Sequence, residues 1–156
     1  MIEVNIPGFG DLQLFHLVLD YNGTLALDGT RLPGVAEALA ALSRDLQIHV
    51  VTADTYGLAA SQLAGLPVKL TILPAGAQAD AKRDFVTALG AASVAAIGNG
   101  RNDRKMLDAA AIGIALIQKE GGAAVAAANA DILSFDILDA LALLGNPKRL
   151  VATLRS

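Results

Sequence analysis

The chain contains no cysteine and no tryptophan, and only 4% of its residues are aromatic. The missing thiols exclude disulfides, thiolate nucleophiles and cysteine-based metal sites. With so few aromatic rings, the 54% of hydrophobic residues must build a core from alanine, leucine, isoleucine and valine. No apolar run reaches the roughly 20 residues of a membrane span, because Ala109–Ile117 is interrupted by Gly113. Met1–Asn5 lacks the basic and apolar regions of a secretory signal. The net charge of -3 leaves no footprint for nucleic acid or for a membrane surface, and Lys148, Arg149 and Arg155 read as a solvated helix face. A cytoplasmic protein without nucleic-acid or membrane partners is expected.

What is present is an alternation of strand and helix signals. Ile2–Ile6, a turn at Pro7–Gly10 and a run over Leu12–Leu19 predict a hairpin leading into a buried central strand. Asp28-Gly29 is a two-residue hairpin turn, so a small flap should follow. Pro33-Gly34 opens a helix with Val35, Ala38, Leu39 and Leu42 on one face. Beyond it come a strand over Gln47–Thr52, a helix through Leu63 capped by Asp54 or Thr55, and a strand over Val68–Leu73. A helix over Gln78–Leu89 stops at Gly90, followed by a strand over Val94–Ile97 and the loop Gly98–Asp103. A helix over Lys105–Ala110, a strand over Ile112–Leu116, a helix over Ala123–Ala128 and a strand over Asp131–Leu133 precede two C-terminal helices broken at Gly145–Pro147. This order predicts an α/β protein: three layers around a mostly parallel sheet. A single domain is expected, with residues 1–12 as a hairpin extension, 13–135 as the core and 136–156 as C-terminal helices.

Polar residues fall where the strands end. Asp20-Tyr21-Asn22-Gly23-Thr24 leaves the first buried strand, Thr52 ends the second, Asn99 and Asp103 lie in the loop after Ile97, and Lys82 sits on a flanking helix. In parallel sheets the crevice beyond the carboxyl ends of the strands holds ligands. A carboxylate nucleophile, a hydroxyl, a lysine and further oxygen ligands are the parts that phosphoryl transfer needs.

These four segments, in this order, resemble the motifs of the haloacid dehalogenase superfamily of Mg2+-dependent phosphohydrolases. The match runs over residues 12–135, and the loop Gly98–Asp103 also resembles the phosphorylation domain of P-type ATPases and their small soluble relatives. The resemblance implies a fold with a flap and, given the short spacings from Thr24 to Pro33 and from Thr52 to Lys82, no cap domain. It implies Asp20 as nucleophile and Mg2+ ligand, the Asn22 carbonyl as a second ligand, and Gly23, Thr24, Thr52 and Lys82 around the phosphate. It places Asn99 and Asp103 at or just behind the metal, with Asn102 beyond. A capless site implies either a large substrate or a neighbouring subunit of a homo-oligomer as its lid.

Two positions depart from the pattern. Asn22 stands where phosphatases of the superfamily carry an Asp acting as general acid and base, and Asn99 stands where a metal-binding Asp is usual. General acid–base help is worth about 10²–10⁴-fold in rate, so a slow phosphohydrolase of a phosphomonoester is expected. The alternative is a weak or inactive domain that binds a phosphorylated ligand or a protein partner. A receiver-type phosphoacceptor lacks support, because the paired acids near the first strand are missing. Gly98-x-Gly100 is a poor dinucleotide turn, since Asp103 takes the place of its third glycine. Singly, His16 and His49 read as packed strand residues, Asp54 as a cap, and Arg101 and Arg104 as surface charges. Arg101 could also touch a substrate anion from a loop that overhangs the crevice.

Overall fold

The computed structural model describes residues 1–156. Its centre is a six-stranded, wholly parallel sheet made from β3 (His16–Leu19), β6 (Gln47–Thr52), β7 (Lys69–Ile72), β8 (Val94–Gly98), β9 (Ile112–Leu116) and β10 (Ile132–Ser134). Their spatial order is β10-β9-β8-β3-β6-β7. The chain therefore runs outward from β3 through β6 to β7, then returns to the other side of β3 to lay down β8. The gap between β3 and β8 is the switch point of the sheet, the place where such folds open a crevice.

Strand parity sorts the apolar residues onto two faces. Leu17, Leu19, Ile48, Val50, Ile97, Ile112 and Ile114 enter the larger core cluster. It is covered by α1 (Val35–Leu42), α2 (Ala59–Leu63), α6 (Ile137–Gly145) and α7 (Pro147–Leu154). Val18, Val51, Val94, Ala96 and Ala115 face the other way. They pack under α3 (Gln78–Leu89), α4 (Arg104–Ala109) and α5 (Ala124–Ala128). The result is the three-layer α/β/α arrangement expected from the order of the elements. Because both faces are covered, the inner strands are continuously apolar.

Two local expectations are corrected. The run Leu12–Leu19 is not one strand. It divides into β2 (Gly10–Leu14), which pairs antiparallel with β1 (Ile2–Ile6) in a separate hairpin, and β3 in the central sheet. Phe15 makes the transfer, its amide donating to Ser93 O and its carbonyl accepting from Gln47 N, both at 2.9 Å. The helix expected from Asp54 or Thr55 starts only at Ala59. Asp54 takes a left-handed backbone (φ 55) and its Oδ1 accepts from Ala59 N at 3.0 Å, so it ties down the start of α2 from five residues upstream.

The flap is a two-residue hairpin of β4 (Ala26–Leu27) and β5 (Thr30–Arg31), and Asp28 and Gly29 supply the positive φ values its turn requires. Gly113, the second residue of β9, lets α4 pass so closely that a Cβ there would strike the carbonyl of Leu107. Overpacking of this kind costs roughly 1–3 kcal/mol. Gly113→Ala should therefore lower unfolding stability in urea by about 2 kcal/mol with an unchanged m value. A substitution with no effect would show that α4 is free to slide on the sheet.

Candidate functional site

Asp20 follows β3 at the switch point, and its loop is wound tightly. The carbonyl of Tyr21 accepts from the amides of Thr24, Leu25 and Ala26 at 2.9–3.2 Å, and Gly23 N donates to Ala26 O at 3.0 Å. The buried Tyr21 ring sends its hydroxyl to Gly29 O at 2.8 Å, fastening the flap tip to the loop that carries Asp20. Gly23 has φ 76, and a Cβ there would collide with the Asn99 side chain. Glycine is required at this position for backbone shape and for clearance alike.

Lys82 is the junction of the site. It lies on the sheet-facing stripe of α3, one turn before Val86, and it is fully buried. Its ammonium donates to Asp20 Oδ1 at 2.8 Å and to Asp103 Oδ1 at 2.7 Å. The other oxygen of Asp103 accepts from the amides of Asn99 and Gly100 at 3.1 and 2.8 Å, so that carboxylate holds both the lysine and the loop after β8. Asp20 is held less firmly, by Lys82 and the neighbouring amide of Tyr21. Its side chain keeps 9% of its surface open.

The remaining expected residues gather around this pair. Thr52, at the end of β6, is buried, and its hydroxyl accepts from Asp54 N at 3.0 Å, leaving its proton available to a ligand. Thr24 is buried, and its hydroxyl reaches Asn99 Oδ1 at 3.5 Å. The Asn99 amide donates to Gly121 O at 3.0 Å, and Asn102 donates to Gln78 Oε1 at 2.8 Å, tying the loop to the start of α3. Asn22 Oδ1 is buried with no hydrogen-bond partner. An unmatched oxygen two residues from Asp20 suits a hard cation such as Mg2+, which takes oxygen ligands and retains waters. No cluster of three or more His, Cys, Asp or Glu occurs in the structure. A cation here would therefore be held by Asp20, amide or carbonyl oxygens of Asn22 and Asn99, and water.

One positioning residue was not foreseen. Gln118, just beyond β9, donates to Gly23 O at 3.2 Å and Thr24 O at 3.0 Å, while its Oε1 accepts from Ile137 N at 2.9 Å. It couples the Asp20 loop to the start of α6. The sequence carried one signal for it, a lone amide directly after the apolar run Ile112–Ile117. Beside this bridge opens a cavity of about 440 Å3, floored by Gly23 and walled by Leu27, Leu32, Ile117 and Phe135. Asp20 does not line it. His16 and His49 lie apart from the site. Their rings meet at 3.3 Å between β3 and β6, and the edge of Phe85 abuts His49.

The electrostatics follow from two carboxylates sharing one ammonium. Burial and the facing Asp103 carboxylate push Asp20 up to about 7, against the pull of Lys82. Burial disfavours the charge on Lys82, but Asp20 and Asp103 together outweigh it and raise its pKa above the usual lysine range. Between the ordinary aspartate value of 3.8 and about 7, the native protein keeps a proton on Asp20 that the unfolded chain has lost. More protons on the native state mean that stability falls as pH rises. His16 and His49, both lowered chiefly by burial, act in the opposite sense. Metal-free protein should therefore lose stability from pH 4 to 7 more steeply than Asp20→Asn, which keeps the histidines and removes the titrating acid. Parallel profiles from thermal unfolding would show that Asp20 is not strained in this way.

Comparison with known proteins gives the arrangement its context. No protein-family model matches the sequence. An uncharacterized protein of Methanocaldococcus jannaschii, MJ0073, is 47% identical over 62 residues, which cover 40% of this chain and 67% of that protein. The 3-deoxy-D-manno-octulosonate 8-phosphate phosphatase of Moraxella catarrhalis, solved with magnesium and phosphate ions and KDO, superposes with a TM-score of 0.70 at 16% identity. That match covers 91% of this chain and 94% of the phosphatase. A zinc-transporting PIB-type ATPase matches with a TM-score of 0.64 at 28% identity, over 79% of this chain and 20% of the pump. The chain is a capless protein of the haloacid dehalogenase-like fold, in one family with the Methanocaldococcus protein.

Proposed function

We propose that the chain is a slow Mg2+-dependent phosphohydrolase that works through an aspartyl-phosphate on Asp20. The observation that carries this reading is the Lys82 ammonium set between Asp20 Oδ1 and Asp103 Oδ1 at the switch point of the sheet. Support comes also from Thr52 at the end of the adjacent strand and from the fold shared with phosphatases.

In the proposed reaction, an Asp20 oxygen attacks the phosphorus of a phosphomonoester while the bond from phosphorus to the alcohol oxygen breaks. Lys82 and the Thr52 hydroxyl balance the charge on the transferred group. Mg2+, held by Asp20, Asn22 and Asn99 with Asp103 behind them, would add Lewis-acid stabilisation of the phosphoryl oxygens. Water then attacks the acyl phosphate, releasing inorganic phosphate and restoring the Asp20 carboxylate. The Asn22 amide can neither protonate the departing alkoxide nor deprotonate that water, so both protons must come from or go to solvent.

The same amide favours a second reading, in which the domain mainly binds a phosphorylated ligand and turnover is incidental. The two readings separate on one set of measurements. With Mg2+ and a phosphomonoester panel, Asp20→Asn should abolish release of phosphate. Acid-quenched wild-type protein should carry one phosphoryl group on Asp20, found by peptide mass. Asn22→Asp should raise turnover by about 10²-fold, the lower end of general acid–base help. Turnover that survives Asp20→Asn would overturn the nucleophile assignment, and absence of turnover in wild type and Asn22→Asp alike would favour the binding reading.

A further inference from the structure

We propose that the cleft beside the Gly98–Asp103 loop binds a second anionic group of the phosphorylated substrate, held by the side chains of Arg101 and Arg104. This rests on the phosphoryl-site reading and narrows the substrate to phosphomonoesters that bear a further carboxylate or phosphate.

The cleft has a volume of about 590 Å3 and is lined by the segment from Gly76 to Asp80 and by Arg101, Asn102 and Arg104. Neither arginine forms an ion pair, although the charge of Arg104 is near enough to help hold the Asp80 carboxyl below its usual range, behind the larger effect of Lys105. The ion pairs of the protein join Lys82 to Asp20 and Asp103, Arg83 to Asp80 and Asp84, and Lys105 to Asp80. The Arg104 guanidinium donates only to the carbonyl of Arg101, at 2.9 Å, which holds it against the loop and leaves most of its fork free. The one acid in the cleft, Asp80, is already engaged by Lys105 at 2.5 Å and Arg83 at 3.1 Å. The cleft is therefore a cationic spot on a chain of net charge -3.

Its position follows from the elements that build it. Gln78, which lines the cleft, lies four residues before Lys82 on α3, a separation of about 6 Å along a helix. Asn102 joins the two sites, since it adjoins Asp103 in the chain and bonds Gln78 across the gap. A phosphoryl group at Lys82 would thus have the wall of the cleft, Gln78 and Asn102, roughly one helical turn outward from it, with the two arginines on the far side of that wall. Arginine suits this task, because its planar fork pairs with either carboxylate or phosphate.

The test is calorimetric binding of two compounds of nearly equal shape, 3-phosphonopropionate and 3-phosphonopropanamide, to the Mg2+-loaded protein. The phosphonate cannot be turned over, so the readout does not depend on activity. The carboxylate compound should bind about tenfold more tightly, as expected for charge-assisted hydrogen bonds, and the difference should shrink as salt is raised. The double variant R101Q/R104Q should bind both compounds equally, with the affinity of the amide unchanged. Equal binding to wild type, or a preference that persists in the double variant, overturns this proposal alone. Failure of both compounds to bind overturns the phosphoryl-site reading together with it.

Discussion

One buried ammonium organises this protein. Lys82 enters the interior because two carboxylates meet it, and those carboxylates tolerate burial because it is there. Breaking such a group by removing one partner typically costs about 3–5 kcal/mol, since a charge is left uncompensated. Three separate elements are tied at this point: the loop after β3, the loop after β8 and the helix α3. The balance is incomplete, with two acids for one base, and the shortfall appears as the raised proton affinity of Asp20. A residual negative charge of this kind is offset by a cation or by the proton that Asp20 takes up.

The two parts of the crevice are rigid in different degrees. Asp103 has both oxygens committed, to Lys82 and to two loop amides, and is fully buried. Asp20 is held by Lys82 and by the amide of Tyr21 beside it, and has a little of its surface open. The difference separates a carboxylate fit to hold geometry from one fit to react. Around them the supports are mostly backbone carbonyls, reached by Gln118 and Asn99. Amides thus fill positions in which acids would add further negative charge to a site that already has too much of it.

Much of this was legible in the sequence. The bounds of β6, α3 and β9 follow from apolar runs ended by clear punctuation; Asp20, Thr52 and Asp103 come to one edge because parallel strands put their ends on one side, and Lys82 reaches Asp20 and Asp103 from α3. Other features were hidden for physical reasons. A continuous apolar run such as Leu12–Leu19 looks the same whether or not the chain changes sheets within it, because burial leaves a mark and the choice of partner does not. The late start of α2 depends on the left-handed turn at Asp54, an unusual conformation for a side-chain-bearing residue. Gln118 acts through contacts with residues nearly a hundred positions away, and no local pattern encodes them.

The two chain ends are fastened to opposite ends of the first hairpin. The N-terminal ammonium donates to Asp45 O, just before β6, and Ser156 N donates to Pro7 O in the turn of the first hairpin. The first contact lies at the amino edge of the central sheet and the second at the tip of the separate hairpin, whereas Asp20, Thr52 and the Gly98–Asp103 loop lie at the carboxyl edge. A segment, tag or surface joined at Met1 therefore leaves from the underside of the molecule, away from the mouth of the crevice.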